Sequence, residues 1–261
     1  MTDAVDPVLV GALAAVGCGV AGLLVPAVVA RLPEPPADPE LADLAAAVEE
    51  RALTTSEQMR LDEGPKRLYA DVASAPALGP VCSLVAAAVA VVLVAALGVE
   101  RDLVLFVPLV PLGVLLAAVD LHTRTLPRLV VRAGVVWALG YVAVVALLDG
   151  DAGLLARPLA GLAVVFAIFY ALWWVRPGGL GYGDVRLAAL IGLVLAQQGW
   201  AEVVVGVYAA LVLFALPAVG VALVRRDRRE LARHQPFGPF LLLGVLAGLL
   251  VGEPVARLVG G

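Results

Sequence analysis

The sequence predicts an all-α, polytopic membrane protein of about eight transmembrane helices with both termini outside. Three observations predict it. Of 261 residues, 62% are hydrophobic and only 15% are charged, and the mean hydropathy is +1.00. A soluble domain carries roughly 25% charged residues, and a disordered chain is poor in apolar residues and rich in charge. The apolar residues also fall into eight runs near the length that crosses a bilayer, about 20 residues in a helix. When those runs are threaded, the basic residues collect on one side.

The first run covers roughly 8–30. The stretch before it, Met1 to Pro7, holds Asp3 and Asp6 and no basic residue. A cleavable signal peptide would have a positive leader, so this run is expected to stay as an anchor. Residues 31–77 form a long loop. It opens on Pro33-Glu34-Pro35-Pro36, continues with a helical stretch around Leu41–Met59, and is interrupted at Pro65. It holds ten acidic residues against five basic ones and no cysteine.

The next runs cover 78–98, 103–120, 128–148 and 154–175. The run at 181–198 is short and opens from glycines; 201–224 and 237–256 complete the set, the last carrying Glu253 near its end. Arg225–Gln235 is an Arg-rich connection that suits the inner leaflet. Gly244-x-x-x-Gly248 fits a close helix–helix contact. The chain divides into an N-terminal anchor (1–30), a cytoplasmic loop (31–77) and a membrane-embedded core (78–261).

With the N-terminus outside, 15 of the 18 basic residues lie on the cytoplasmic side, leaving Arg101, Arg157 and Arg257 outside. The opposite orientation would reverse the ratio, against the positive-inside rule. The formal net charge of −4 points to no nucleic-acid partner. Cys18 and Cys82 lie inside apolar runs and read as buried thiols.

Ionisable groups in or at the ends of spans are costly, which makes them functional candidates. Asp120 ends the third run and Asp184 begins the sixth, so two carboxylates from different helices reach the same depth on the cytoplasmic side. Such a pair suits an aspartic protease. One carboxylate takes a proton from water, and the other protonates the leaving nitrogen. Two adjacent carboxyls do not both ionise cheaply, so the pair holds an acid and a base together. Gly178, Gly179, Gly181 and Gly183 precede Asp184. Glycine permits positive φ and close backbone approach, so this stretch is expected to be an unwound entrance lining a polar cavity.

Other residues have ordinary readings beside sharper ones. His122 and His234 read as solvated loop histidines. Asp120, His122 and Asp184 lack a fourth ligand, so a metal site is not expected. Trp173, Trp174 and Trp200 fit an aromatic belt. Arg186 fits snorkelling as well as substrate steering, and Tyr182 fits the interface as well as a substrate contact. The G-x-G-x-G pattern follows a membrane span rather than a β-strand, which excludes a dinucleotide fingerprint.

Gly179-Leu180-Gly181-Tyr182-Gly183-Asp184-Val185-Arg186 resembles the G-x-G-x-G-D-x-[KR] signature of the type IV prepilin peptidases, membrane aspartic proteases of the GxGD class. Asp120 through Leu126-Pro127 resembles that family's D-x-x-x-x-x-[IL]-P motif. Pro236-Phe237-Gly238-Pro239-Phe240 is similar to its P-F-G-P-F motif, and Arg31-Leu32-Pro33 to the R-L-P after its first span. The four motifs fall in the family's order.

The resemblance implies a bacterial inner-membrane endopeptidase that cleaves the basic leader from prepilins or pseudopilins at the cytoplasmic face. It implies Asp120 and Asp184 as the catalytic pair, with no metal or cofactor for proteolysis. Gly179, Gly181, Tyr182, Gly183, Arg186, Pro236, Phe237, Gly238 and Pro239 would shape the loops or meet substrate. The partners implied are the lipid bilayer and the pilin substrate, the substrate's apolar helix docking among the spans and its basic leader staying in the cytoplasm near Asp120 and Asp184.

Bifunctional relatives also N-methylate the new N-terminus with S-adenosylmethionine, and many carry two C-x-x-C pairs in the first loop. Residues 31–77 have none. Pro26 stands where many relatives have an Asn, and Arg128 follows the motif's proline. These departures touch proteolysis little and leave methyl transfer open. A non-enzymatic transporter or assembly scaffold, or a relative that has lost activity, is the alternative reading.

Overall fold

The computed structural model describes residues 6–34, 67–175, 180–225 and 236–259. Each of the eight expected runs is a helix. α1 (Pro7–Leu23) begins at an Asp6 cap whose carboxylate accepts from the Val8 N–H, with Pro7 in the first turn. The first run is broken: α1 stops at Leu23 and α2 (Val25–Val29) follows. Pro26 has no N–H to continue the ladder, which accounts for the break.

α3 (Tyr69–Ala73) is a short helix at the end of the first loop. The remaining helices are α4 (Leu78–Leu97), α5 (Leu103–Thr123), α6 (Arg128–Asp149), α7 (Ala156–Val175, entered through a 3₁₀ turn at Ala152–Leu155), α8 (Tyr182–Gln198), α9 (Trp200–Arg225) and α10 (Gly238–Val259). Gly98 and Gly150 end α4 and α6 with positive φ. The expected helix around Leu41–Met59 and the Arg-rich segment lie outside the described residues.

Five helices are long and apolar enough to cross a membrane: Leu78–Leu97, Leu103–Thr123, Arg128–Asp149, Ala152–Val175 and Gly238–Leu258. Pro7–Leu23 and Trp200–Leu216 are shorter apolar helices. Outward faces carry exposed Leu84, Leu147 and Trp174, as a lipid-facing surface requires. The protein is an all-α, polytopic membrane protein.

Three antiparallel pairs organise the bundle: α1 with α4, α7 with α8, and α9 with α10. Small residues set their spacing. A Cβ on Gly206 would stand 2.6 Å from Leu195 Cδ1, and one on Gly248 would stand 2.6 Å from the Glu202 carbonyl oxygen. Gly244 meets the Gly206 carbonyl directly, so the Gly244/Gly248 pattern is the seam between α9 and α10.

α8 runs through the middle and touches α6, α7, α9 and α10. Every residue from Leu187 to Ala196 is buried. A helix wrapped in protein need not match the lipid thickness, which explains why this run is short. Its position also carries Asp184 into the interior.

Candidate active site

Asp120 sits in the last turn of α5 and is 4% exposed. The helix ends at Arg124, whose left-handed backbone (φ 54°) lets its N–H close on the Asp120 carbonyl at 2.8 Å. Leu126 and Pro127 then lead into α6. An acid at the C-terminus of its own helix faces the negative end of the dipole. The N-terminus of α10 offsets this: the Gly238 N–H donates to Asp120 Oδ2 at 2.9 Å in a buried hydrogen bond. A Cβ at position 238 would lie 2.9 Å from the same oxygen, so only glycine lets the start of α10 come this close.

Asp184 is the third residue of α8 and is 8% exposed. Its Oδ2 accepts from the Gly181 N–H at 3.1 Å, which caps its own helix. Its Oδ1 is buried and makes no hydrogen bond among the described residues. Both carboxylates are thus held by amides at helix N-termini, Asp184 by α8 and Asp120 by α10. The two carboxyls lie within electrostatic range of each other, and Arg124 lies within range of Asp120.

Of the two uses expected of these glycines, the described ones show close approach. Gly181 has ordinary extended backbone (φ −74°, ψ 142°), and α8 is already helical at Tyr182 and Gly183. No positive φ occurs at this entrance among the described residues; Gly178 and Gly179 lie outside them. What Gly183 supplies is space: its Cβ would come to 3.0 Å from Leu126 Cβ. This contact joins the two aspartate motifs directly.

Arg186 stacks over the Tyr182 ring at 4.5 Å, and Tyr182 packs on Trp173 at 5.2 Å between centroids. Both therefore belong to a ladder on the outside of α7 and α8. Pro236 leads into the last helix. Phe237 is buried against Phe169 and edge-on to Phe214, and Phe240 also meets Phe214. These aromatic contacts fix the end of α10 that carries Gly238. Pro239 lines an apolar cavity of about 330 Å³ between α4, α5, α8 and α10. Leu121 and Leu187, neighbours of the two aspartates, line it too. His122 turns back onto its own helix, its Nδ1 donating to the Ala118 carbonyl at 2.7 Å. Trp174 and Trp200 are exposed, as belt residues would be; His234 lies outside the described residues.

Sequence reasoning missed a polar network beside Asp120. Tyr69 is 4% exposed, and its hydroxyl lies 3.0 Å from Thr125 Oγ1. Thr125 Oγ1 lies 2.7 Å from Thr123 Oγ1, which donates to the Val119 carbonyl at 2.9 Å. Glu34 accepts from the Tyr69 and Ala70 amides at 2.7 and 2.9 Å. Burial pushes the Tyr69 phenol above its ordinary range; the bond to Thr125 opposes this, and the charges on Glu34 and Asp120 add to it. The two threonines were visible inside the aspartate motif, but Tyr69 has no local signal.

Residues 107–223 match the family model described as the type IV leader peptidase family. The chain is 34% identical over 104 residues to the prepilin leader peptidase/N-methyltransferase of Burkholderia pseudomallei (strain 1026b), covering 40% of this chain and 32% of that one. It is 36% identical over 103 residues to the leader peptidase HopD of Escherichia coli, covering 38% of this chain and 62% of the relative. It is 28% identical over 100 residues to the prepilin leader peptidase/N-methyltransferase of Aeromonas hydrophila, covering 38% and 33%. The matched segment is thus about a third of the length of the N-methyltransferase-bearing relatives. No solved structure matches.

Proposed function

We propose that this chain, whose residues 107–223 match the type IV leader peptidase family model, is a prepilin leader peptidase with Asp120 and Asp184 as its catalytic pair. The observation that carries this reading is the buried Asp184 Oδ1, which has no hydrogen-bond partner among the described residues, beside a second buried carboxyl. A buried polar oxygen without a partner costs about 1–3 kcal/mol. Such a group persists in native proteins where it has a use. A carboxylate poised to accept a proton from water is that use.

The reaction is hydrolysis of one peptide bond. One carboxylate takes a proton from water as its oxygen attacks the scissile carbonyl carbon. The other carboxyl, protonated, hydrogen-bonds the carbonyl oxygen. Collapse of the tetrahedral intermediate breaks the C–N bond, and a carboxyl returns a proton to the leaving nitrogen. The amides of Gly238 and Gly181 hold the two carboxyls while protons move. Proteolysis by this route needs no metal or cofactor.

The substrate in this reading is a prepilin or pseudopilin with a basic leader and an apolar helix. The apolar cavity that ends beside the aspartates supports an apolar substrate segment. The distribution of basic residues supports a site at the cytoplasmic face of a bacterial inner membrane, with both termini outside. Residues 1–30 would then be the anchor, 31–77 the cytoplasmic loop and 78–261 the peptidase core. Loop 31–77 lacks the cysteine pairs that many bifunctional relatives carry, so methyl transfer is no part of this reading. S-adenosylmethionine enters only if that second activity is present, which mass spectrometry of the mature pilin N-terminus would reveal.

The test is co-expression of a prepilin with the unsubstituted chain, Asp120→Asn and Asp184→Asn, read as leader loss on a gel. The reading requires cleavage by the first and none by either variant. Absence of cleavage in all three would favour a lapsed relative or a non-enzymatic membrane role.

A further inference from the structure

Three hydroxyls stand in series between the end of the first loop and the last turn of α5. Their direction is determined by counting protons. Thr123 donates its one hydroxyl proton to the Val119 carbonyl, which can only accept. The 2.7 Å contact between Thr123 and Thr125 therefore uses the Thr125 proton. The 3.0 Å contact between Thr125 and Tyr69 must then use the Tyr69 proton. The relay runs Tyr69 to Thr125 to Thr123 to the Val119 carbonyl. It ends one residue before Asp120.

The other end is tied as firmly. The Glu34 carboxylate accepts from the amides of Tyr69 and Ala70. Glu34 directly follows Arg31-Leu32-Pro33 at the end of α2. The ring of Tyr69 and the side chain of Val72 pack with Val25 and Val29 of α2 and with Leu115 and Val119 of α5. A segment distant in sequence is thereby wedged between the end of the first span and the turn that carries Asp120. Tyr69 is also within electrostatic range of the Asp120 carboxyl, although the structure gives no hydrogen bond between them.

We propose that Tyr69 is a positioning residue for the peptidase, holding the Asp120 turn in register through the Thr125–Thr123 hydroxyl relay. This rests on the peptidase reading above. Tyr69 does not touch the reacting atoms. It keeps the left-handed Arg124 turn and the last turn of α5 from rotating, so that the Asp120 carboxyl stays on the Gly238 amide and facing Asp184. Small misplacements of a reacting group cost rate steeply, up to about a hundredfold for 1 Å. Loss of one hydroxyl that lets the turn shift by a fraction of that is expected to lower kcat roughly tenfold. Docking of the substrate helix uses other surfaces, so KM stays as it was.

The experiment measures kcat and KM for leader cleavage by the full chain in detergent, normalised to folded enzyme. The variants are Tyr69→Phe, Thr125→Val, the double variant and Thr125→Ser. Tyr69→Phe keeps the packing ring and removes only the proton donor. The expected result is a similar fall in kcat for Tyr69→Phe and Thr125→Val at unchanged KM. The double variant should fall no further than either single, as for residues acting as one unit. Thr125→Ser, which keeps the hydroxyl, should restore the rate. Unsubstituted kcat in Tyr69→Phe overturns the proposal, as does a double variant whose losses multiply. A lower yield of folded protein at unchanged kcat also overturns it, because that is a purely structural role. No cleavage by the unsubstituted chain overturns the peptidase reading itself, and this proposal with it.

Discussion

The backbone N–H of Gly238 donates to Asp120 Oδ2 at 2.9 Å, across a sequence separation of 118 residues. It brings the last helix of the bundle, α10, onto an acid in the last turn of α5. The amide belongs to the first turn of α10, where backbone donors have no partner within their own helix. Asp120 supplies that partner. In return, the positive end of α10 faces a carboxylate that its own helix terminus disfavours.

Gly238→Ala should therefore damage the site without touching either aspartate. Its Cβ would lie 2.9 Å from Asp120 Oδ2 and 3.3 Å from Cγ, so the carboxyl or the helix start must move. Leader cleavage is expected to fall at least roughly tenfold, with about 1–3 kcal/mol lost from stability as the buried hydrogen bond is disturbed. Cleavage kinetics and a thermal melt in detergent check this. Full activity would mean that the Gly238 amide does not hold Asp120 during the reaction.

A second steric prediction concerns the contact between the two aspartate motifs. Gly183 and Leu126 are packed so that an added Cβ would reach 3.0 Å from Leu126 Cβ. Gly183→Ala should lower kcat by pushing the start of α8 away from the Asp120 turn. Because the obstructing atom is the Leu126 Cβ, which alanine would keep, Leu126→Gly in the same chain should recover part of the rate. Equal activity of the single and double variants, both well below the unsubstituted chain, would show that the contact is not the cause.

At the opposite end of α5, Asp102 accepts from Tyr141 Oη at 2.5 Å and from Gln198 Nε2 at 2.6 Å. It thereby ties α5, α6 and α8 together about 27 Å along the helix axis from Asp120. Asp102→Ala leaves two donors without their acceptor. A stability loss of about 1–3 kcal/mol is expected, with unchanged cleavage per folded molecule. Thermal melts paired with single-turnover cleavage separate the two; a selective loss of kcat would contradict a structural role for the clamp.

The α9/α10 seam gives a stronger effect. The notional Cβ of Gly206 already lies 2.6 Å from Leu195 Cδ1 and 3.0 Å from the Gly244 carbonyl oxygen. Gly206→Leu adds three further carbons there, and overpacking of this kind costs typically about 1–3 kcal/mol or more. A lower yield of folded protein and a lower melting temperature are expected. An unchanged melt would mean that the seam opens without cost.

The loop between the first two spans carries an excess of acids that suits a basic leader. Glu34 is already committed to the amides of Tyr69 and Ala70, so it should be left intact. Changing Asp38, Glu40, Asp43, Glu49 and Glu50 to their amides should raise KM for a basic-leader prepilin, more at low salt than at high salt. An unchanged KM would remove the loop from leader recognition.

The eight helices were legible because the cost of exposing polar groups to lipid is a local property of composition. The predicted and observed boundaries agree within a few residues, including those of α8, and the one departure is the break at Leu24 beside Pro26. The role of the glycines before Asp184 was only half legible. Their number signalled either close approach or positive φ, and among the described residues Gly181 and Gly183 use the first. Sequence cannot tell conformational need from steric need, because both select the same residue.

The sequence by itself determined a bundle of apolar helices, the side on which its basic residues collect, and the two carboxyls worth suspecting at one end of it. Each follows from the energetics of charge and apolar surface in a bilayer, which any short window of residues reports. Only the tertiary structure decided what holds those carboxyls. Gly238 reaches Asp120 across 118 positions, and Tyr69 reaches Thr125 across 56. Hydrogen bonds between segments so far apart leave no period or local composition to read, since their geometry exists only once the helices between them have packed.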